Sequence, residues 1–300
     1  MPPGAASGRV PAAYLAVVAL WSTTPLAIAW SLPGGGYAFS LFARMVVGAL
    51  CAFALLLASG VRMPLGRGAW TAYAIGGASL FATLFCVYWG AQFVHSGLIA
   101  LVFGLSPLVT GAVAAVWLRE RAFTPLKLFG MGVALLGLGV VFGRGEDLGG
   151  PQAPAGLAVL LLAVLLNACG LVGMKRHGAG VPPLATTAGV MLVSLPLFGL
   201  VWLWGGSGVP QAMPLRSLLA IIYLGVFGSV LGFALYYYLM KHLPAVSLAM
   251  ITVVTPVLAL VLGSLLNDEA LPLRVWAGAA CICAGLYLNL RGAAADKAAS

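Results

Sequence analysis

A chain of 300 residues that is 62% hydrophobic and only 7% charged has too little polar surface to cover a soluble core, because soluble domains carry about a quarter charged residues. The solvent that suits it is lipid, where every backbone polar group has to be satisfied within the protein. Its net charge of +9 is scattered between apolar runs instead of gathered in a patch, which argues against a nucleic-acid partner and for charged loops that set membrane topology.

The first apolar run reaches from Val10 to Trp30 behind Arg9. A signal-peptide core spans only about 7–15 residues, so this run is expected to stay as an uncleaved first span. A crossing helix needs about 20 mostly apolar residues. Cutting the chain at Gly, Pro and charge clusters predicts ten such helices, near 11–31, 38–59, 69–92, 96–117, 125–143, 155–173, 184–204, 215–240, 244–266 and 272–290. The connections are short, which predicts one bundle of antiparallel neighbours with the lipid bilayer as its surroundings. With the N-terminus inside, every Lys and Arg outside the spans falls on the inner side except Arg144, Arg216 and Arg274. Both termini are therefore expected in the cytoplasm, with the chain in the cell (inner) membrane.

Several residues stand out in chain order. Trp21, Ser22, Thr23 and Thr24 form a polar notch just before Pro25 in the first span; their hydroxyls either bond the carbonyls one turn back or meet a solute. Arg44 lies inside the second span, where its long stem can snorkel to the outer headgroups or the guanidinium can face an interior cavity. Tyr88, Trp89 and Gln92 end the third span and Tyr236, Tyr237 and Tyr238 sit late in the eighth, as interfacial aromatics or as a cavity wall. Pro107 and Pro256 interrupt the fourth and ninth spans, as gating hinges or as fixed kinks. Asn167 is an amide deep in the sixth span, either interhelical glue or a solute contact. Gly139 and Gly143, and Gly228 and Gly232, have small-xxx-small spacing, which suits close helix packing and, as a second reading, a homodimer.

The two halves of the chain repeat one another. Tyr88 matches Tyr237, Pro107 matches Pro256 and Glu120 matches Glu269, each at an offset of 149. One gap later Gly130 matches Gly278 and Gly137 matches Gly285. An odd number of spans in each half puts the second copy into the membrane upside down. That arrangement belongs to alternating-access transporters, with the substrate site near the midplane between the halves. The expected fold is thus all-α and integral to the membrane: ten transmembrane helices as two inverted five-helix repeats, 12–142 and 155–291.

On these residues the chain resembles the EamA-type branch of the drug/metabolite transporter superfamily. The resemblance is carried by "SPLVTG" and "TPVLAL" in matched spans, by "RERAFTP" and "NDEALP" in the turns that follow, and by the glycine-rich closing spans. "ALWSTTPLAIAW" and the arginine of "FARMVVG" also match. The resemblance implies a central cavity bounded by the first and sixth helices and by those that precede the "SPL" and "TPV" spans. It also implies export of amino acids, other metabolites or toxic compounds.

The chemistry of the chain narrows the choice. No Asp or Glu lies inside any predicted span, which argues against a proton-exchanging carboxylate of the kind a cation exporter uses. Glu120 and Glu269 are expected as solvated loop acids paired with neighbouring arginines. The five cysteines lie in apolar runs; Cys281 and Cys283, two apart, point roughly 200° apart on a helix and do not share a metal. No catalytic residues, metal site or cofactor are expected, and an embedded enzyme is the remote alternative because the loops lack a cluster of acids, bases or ligands. The leading expectation is a secondary transporter of a small carboxylate-bearing metabolite such as an amino acid. Efflux of hydrophobic or cationic toxic compounds is the alternative.

Overall fold

The apolar runs fold as helices, and among the described residues there is no strand. The structure, a computed structural model, describes residues 6–118, 125–142, 150–177, 181–205, 208–243, 245–269 and 271–299. Glu120 and Gly143 lie outside them. In chain order the helices are α1 (Ala6–Ser31), α2 (Gly36–Ser59), α3 (Arg67–Gly90), α4 (Ser96–Phe103), α5 (Ser106–Leu118), α6 (Pro125–Phe142), α7 (Ala153–His177) and α8 (Pro183–Trp204). They continue with α9 (Leu215–Tyr223), a π-helical segment (Leu224–Leu231), α10 (Gly232–His242), α11 (Ala245–Leu266) and α12 (Leu273–Ala299).

Among the described residues, seven stretches are long and apolar enough to cross a membrane: Arg9–Ser31, Gly36–Ser59, Arg67–Gly90, Ser96–Trp117, Ala153–Met174, Pro183–Trp204 and Leu215–Tyr236. Shorter apolar helical stretches cover Leu128–Val141, Val253–Leu266 and Leu273–Asn289. Large apolar side chains stand exposed on most of them, among them Leu57, Leu136, Trp204 and Leu273. In water such a surface would aggregate; against lipid tails it costs nothing. Proline and glycine punctuate the helices. Pro182 and Pro183 open α8, and α2 stops at Gly60, whose φ of 65° is left-handed and whose N–H reaches the Leu57 carbonyl.

The matched prolines behave differently. The span holding Pro107 is broken at Gly104 and Leu105, and Pro107 falls in the first turn of α5, where its missing N–H leaves no helical bond unmade. Pro256 sits inside α11, which runs on unbroken. The two features touch: a Cβ placed on Gly104 would lie 3.2 Å from Cγ of Pro256.

In the packing, α1 runs beside α9, α10 and α11, while α4 lies on α11; α2 lies against α8 and the π segment, and α3 against α7 and α8. The main apolar cluster draws Ile28, Leu41, Met45, Tyr88, Leu98, Leu101, Phe198, Leu224 and Leu260 together from these helices. At the rim α6 and α12 lie flush. A Cβ on Gly130 would be 2.6 Å from the carbonyl oxygen of Gly285, and one on Gly137 would be 2.7 Å from that of Gly278. The four repeat-matched glycines are thus where two helices meet backbone to backbone, as small residues permit in membranes.

Glu269 corrects an expectation. It is not a solvated loop acid but 5% exposed, with its carboxylate held by backbone amides at the start of α4. The first turn of a helix offers free N–H groups and a favourable dipole, which together hold a buried carboxylate.

Candidate functional site around Arg44

The buried positions of α2 include Leu41, Arg44, Met45, Gly48 and Ala52, spaced three and four apart, so Arg44 lies on the stripe that faces the bundle. Its side chain is 4% exposed, which rules out the snorkelled arrangement in this structure. Its Nε donates to Oγ of Ser229 at 3.2 Å and its Nη1 reaches Oη of Tyr88 at 3.5 Å. The guanidinium carbon also stands 5.9 Å from the centre of the Tyr88 ring, within cation–π reach. Tyr88 itself is fully buried at the end of α3.

Ser229 comes from the π segment. Its hydroxyl donates to the Leu224 carbonyl at 2.9 Å, five residues back, and so turns its lone pairs to Arg44. A π-helical turn widens the backbone and occurs frequently at functional sites. Next to it, a Cβ on Gly228 would lie 3.7 Å from both Nη2 of Arg44 and Oγ1 of Thr24, so α1, α2 and the π segment converge on one small polar patch. Among the described residues, the hydrogen-bond and ring partners of Arg44 are the neutral Ser229 and Tyr88, with no carboxylate.

The notch of α1 faces the same helix. Thr23 Oγ1 and Tyr223 Oη are 2.6 Å apart, and the Trp21 ring lies 4.9 Å from that of Tyr236. Thr23 and Thr24 bond the carbonyls of Ala19 and Leu20, one turn back. Ser22 is 2% exposed and its Oγ has no hydrogen-bond partner among the described residues. Pro25 is buried within α1.

The other candidates fall elsewhere. Trp89 packs edge-on against Phe93, 4.8 Å between ring centres. Asn167 is half-buried on α7, whose neighbour along this stretch is α3, where Ser79 donates to the Leu166 carbonyl at 3.0 Å. No hydrogen bond or ring contact joins Asn167 to Arg44 among the described residues. Tyr237 lies on α10, with its side chain outside the described set. Pro256, on α11, lies beside Gly104 at the end of α4, and Pro107 falls in the first turn of α5. Sequence reasoning missed Ser229 and Tyr223. The available signal was a lone serine amid Gly225, Gly228 and Gly232 in an otherwise apolar span.

A helical bundle with lipid-facing exteriors and a buried cation among hydroxyls belongs to the class of multi-span membrane proteins that handle solutes. The sequence model of the EamA-like transporter family matches residues 11–143 and again residues 154–291. The chain belongs to the EamA-like transporter family and is a multi-pass membrane protein. It is 26% identical over 287 residues to the uncharacterized transporter YvbV of Bacillus subtilis, covering 93% of this chain and 90% of that one. It is also 26% identical over 295 residues to a "Probable terminal-alkyne amino-acid exporter" of Streptantibioticus cattleyicolor, covering 93% of each chain. A "Probable amino-acid metabolite efflux pump" of Salmonella typhimurium is 28% identical over 221 residues, or 71% of this chain and 72% of that one. A protein of known crystal structure superposes with a TM-score of 0.65 over 93% of this chain and 95% of its own at 22% identity, a likeness of fold alone.

Proposed function

We propose that the protein is a secondary transporter that exports a small carboxylate-bearing metabolite, an amino acid or a close relative, by alternating access. In this reading ten helices form two inverted repeats, 12–142 and 155–291, with both termini in the cytoplasm of a cell whose inner membrane holds the chain. The solute site lies between the repeats, where Arg44 takes the carboxylate and Tyr88, Ser229, Trp21, Ser22 and Thr23 line the approach. Pro25, Pro107 and Pro256 serve the bending of the gates. Trp89, Asn167 and Tyr237 belong to the wider cavity wall.

One observation carries the reading. Arg44 is buried among neutral partners, with no carboxylate beside it among the described residues. An arginine at the centre of a membrane helix costs about 2.5–3.5 kcal/mol on insertion scales, and such residues pair with other ionisable groups or backbone carbonyls and mark substrate pathways. A carboxylate brought by the solute supplies such a partner through a two-pronged hydrogen bond. The names of the exporters from Streptantibioticus cattleyicolor and Salmonella typhimurium lend support for amino-acid chemistry and for outward direction. Efflux of hydrophobic cations is disfavoured by the same arginine, which would repel them.

The test is flux in proteoliposomes across a panel of amino acids, their esters and organic cations. Movement of free acids but not of their esters, lost in Arg44→Ala, supports the reading. Cation movement that survives or improves in Arg44→Ala overturns it.

A further inference from the structure

A buried carboxylate fastens one end of the bundle. Glu269, just past α11, accepts from the backbone N–H of Ser96 at 3.0 Å through Oε1 and from that of Gly97 at 3.4 Å through Oε2. These are free amides at the start of α4, where the helix dipole also favours a negative charge. Oε1 takes a further bond from Nδ2 of Asn267 at 3.0 Å. The space is cut to fit, since a Cβ on Gly263 would stand 2.5 Å from Oε2.

The fastening extends across the bundle. Oδ1 of Asn267 accepts from Nε1 of Trp30, at the end of α1, at 2.9 Å. Arg216, at the start of α9, lays its guanidinium 3.7 Å from the Trp30 ring centre and donates to the Leu266 carbonyl at 3.2 Å. This end thus ties α1, α4, α9 and α11 together, and in the orientation proposed above it is the end away from the cytoplasm.

The piece held by Glu269 is short and has a natural pivot. α4 has only eight residues and ends at the Gly104–Leu105 break. Leu98 and Leu101 on it are fully buried, in the same apolar cluster as Tyr88, which Arg44 contacts. Lifting α4 would therefore open this end of the bundle toward Arg44.

We infer that Glu269 is the latch of a gate whose moving part is α4, turning about Gly104–Leu105. The inference rests on the transport reading for its purpose but not for its test. Losing a charge-assisted clamp of this kind shifts a closed-to-open equilibrium about tenfold or more.

The experiment places Leu98→Cys in a background with the native cysteines replaced, and follows maleimide labelling in proteoliposomes with Glu269 intact, Glu269→Gln and Glu269→Ala. The glutamine keeps the shape of the side chain and covers the event that the alanine variant fails to fold. Labelling about tenfold faster in a latch variant, with the amides of α4 still protected from hydrogen exchange, is the expected result. Unchanged labelling overturns the latch. So does faster labelling with lost α4 protection, which would mean a frayed helix instead of a moving one. Labelling that responds while the unaltered protein carries no solute leaves the latch standing and removes the transport reading. Solute flux without a labelling response does the reverse.

Discussion

Arg44 on α2 and Ser229 on the π segment are joined by a 3.2 Å hydrogen bond that spans 185 positions of sequence. It links the two halves of the chain at the one buried cation described among the spans. Replacing Arg44 with Ala is expected to lower the transport efficiency for a carboxylate solute by about 30-fold or more, the usual scale for truncating one partner of a buried charge pair. Arg44→Lys keeps the charge but loses the planar fork, so it should recover only part of the rate. Initial efflux rates in proteoliposomes at several solute concentrations decide it.

Ser229→Ala removes both the acceptor that orients Arg44 and the bond to the Leu224 carbonyl. The expected stability loss is about 1 kcal/mol, the ordinary net worth of such a bond. The expected kinetic effect is a raised KM with a smaller change in maximal rate, because the arginine remains but is less well aimed. A thermal melt in detergent and a saturation curve separate the two effects. An unchanged KM would remove Ser229 from the site.

The rim glycines give a test of packing alone. Gly137→Leu pushes a side chain into the backbone of α12 at Gly278, where even a Cβ would stand 2.7 Å from the carbonyl oxygen. Overpacking of this kind costs about 1–3 kcal/mol, so the melting temperature should fall and the folded yield with it. Gly132 on the same helix has nothing within 4 Å of an added Cβ. Gly132→Ala should therefore be neutral or stabilising, by up to about 1 kcal/mol from helix propensity.

The two matched prolines should not be equivalent. Pro107→Ala allows α4 and α5 to join into a continuous helix across Gly104 and Leu105, and is expected to slow turnover while leaving solute binding nearly unchanged. Pro256→Ala removes a side chain that packs beside Gly104 within an already continuous α11. Its expected effect is on stability, about 1 kcal/mol, with a smaller change in rate. Equal kinetic losses from both would argue for a symmetric hinge.

Asn167 and Thr23 separate the inner site from the wider wall. Thr23→Val breaks the 2.6 Å contact with Tyr223 that ties α1 to α9, so flux should fall several-fold, on the scale of one buried hydrogen bond of about 1 kcal/mol. Asn167→Ala should change flux little, since nothing among the described residues connects it to Arg44. A larger loss in Asn167→Ala than in Thr23→Val would place the solute on the α3–α7 side.

The solvent of this chain was legible in composition alone, because 7% charged residues cannot cover a soluble surface. Most helix limits were legible too, since glycines, prolines and charges mark where a span stops, and the break at Gly104 and Leu105 falls just ahead of Pro107. Gly130, Gly137, Gly278 and Gly285 stood out as repeat-matched positions in sequence and meet in space with the partners exchanged, Gly130 against Gly285 and Gly137 against Gly278. Three things waited for the tertiary structure. The direction of Arg44 depended on Ser229 and Tyr88, residues from other spans that no local spacing connects to it. The π turn that presents Ser229 lies against α2, and a backbone widening has no residue signature of its own. Glu269 reads as a solvated loop acid until Ser96 and Gly97, more than 170 positions away in sequence, bring their free amides to it. Sequence by itself determined what must be apolar and where the chain must turn, because those follow from local chemistry. Which polar groups meet inside was decided only by folding, because a buried charge takes its meaning from distant partners.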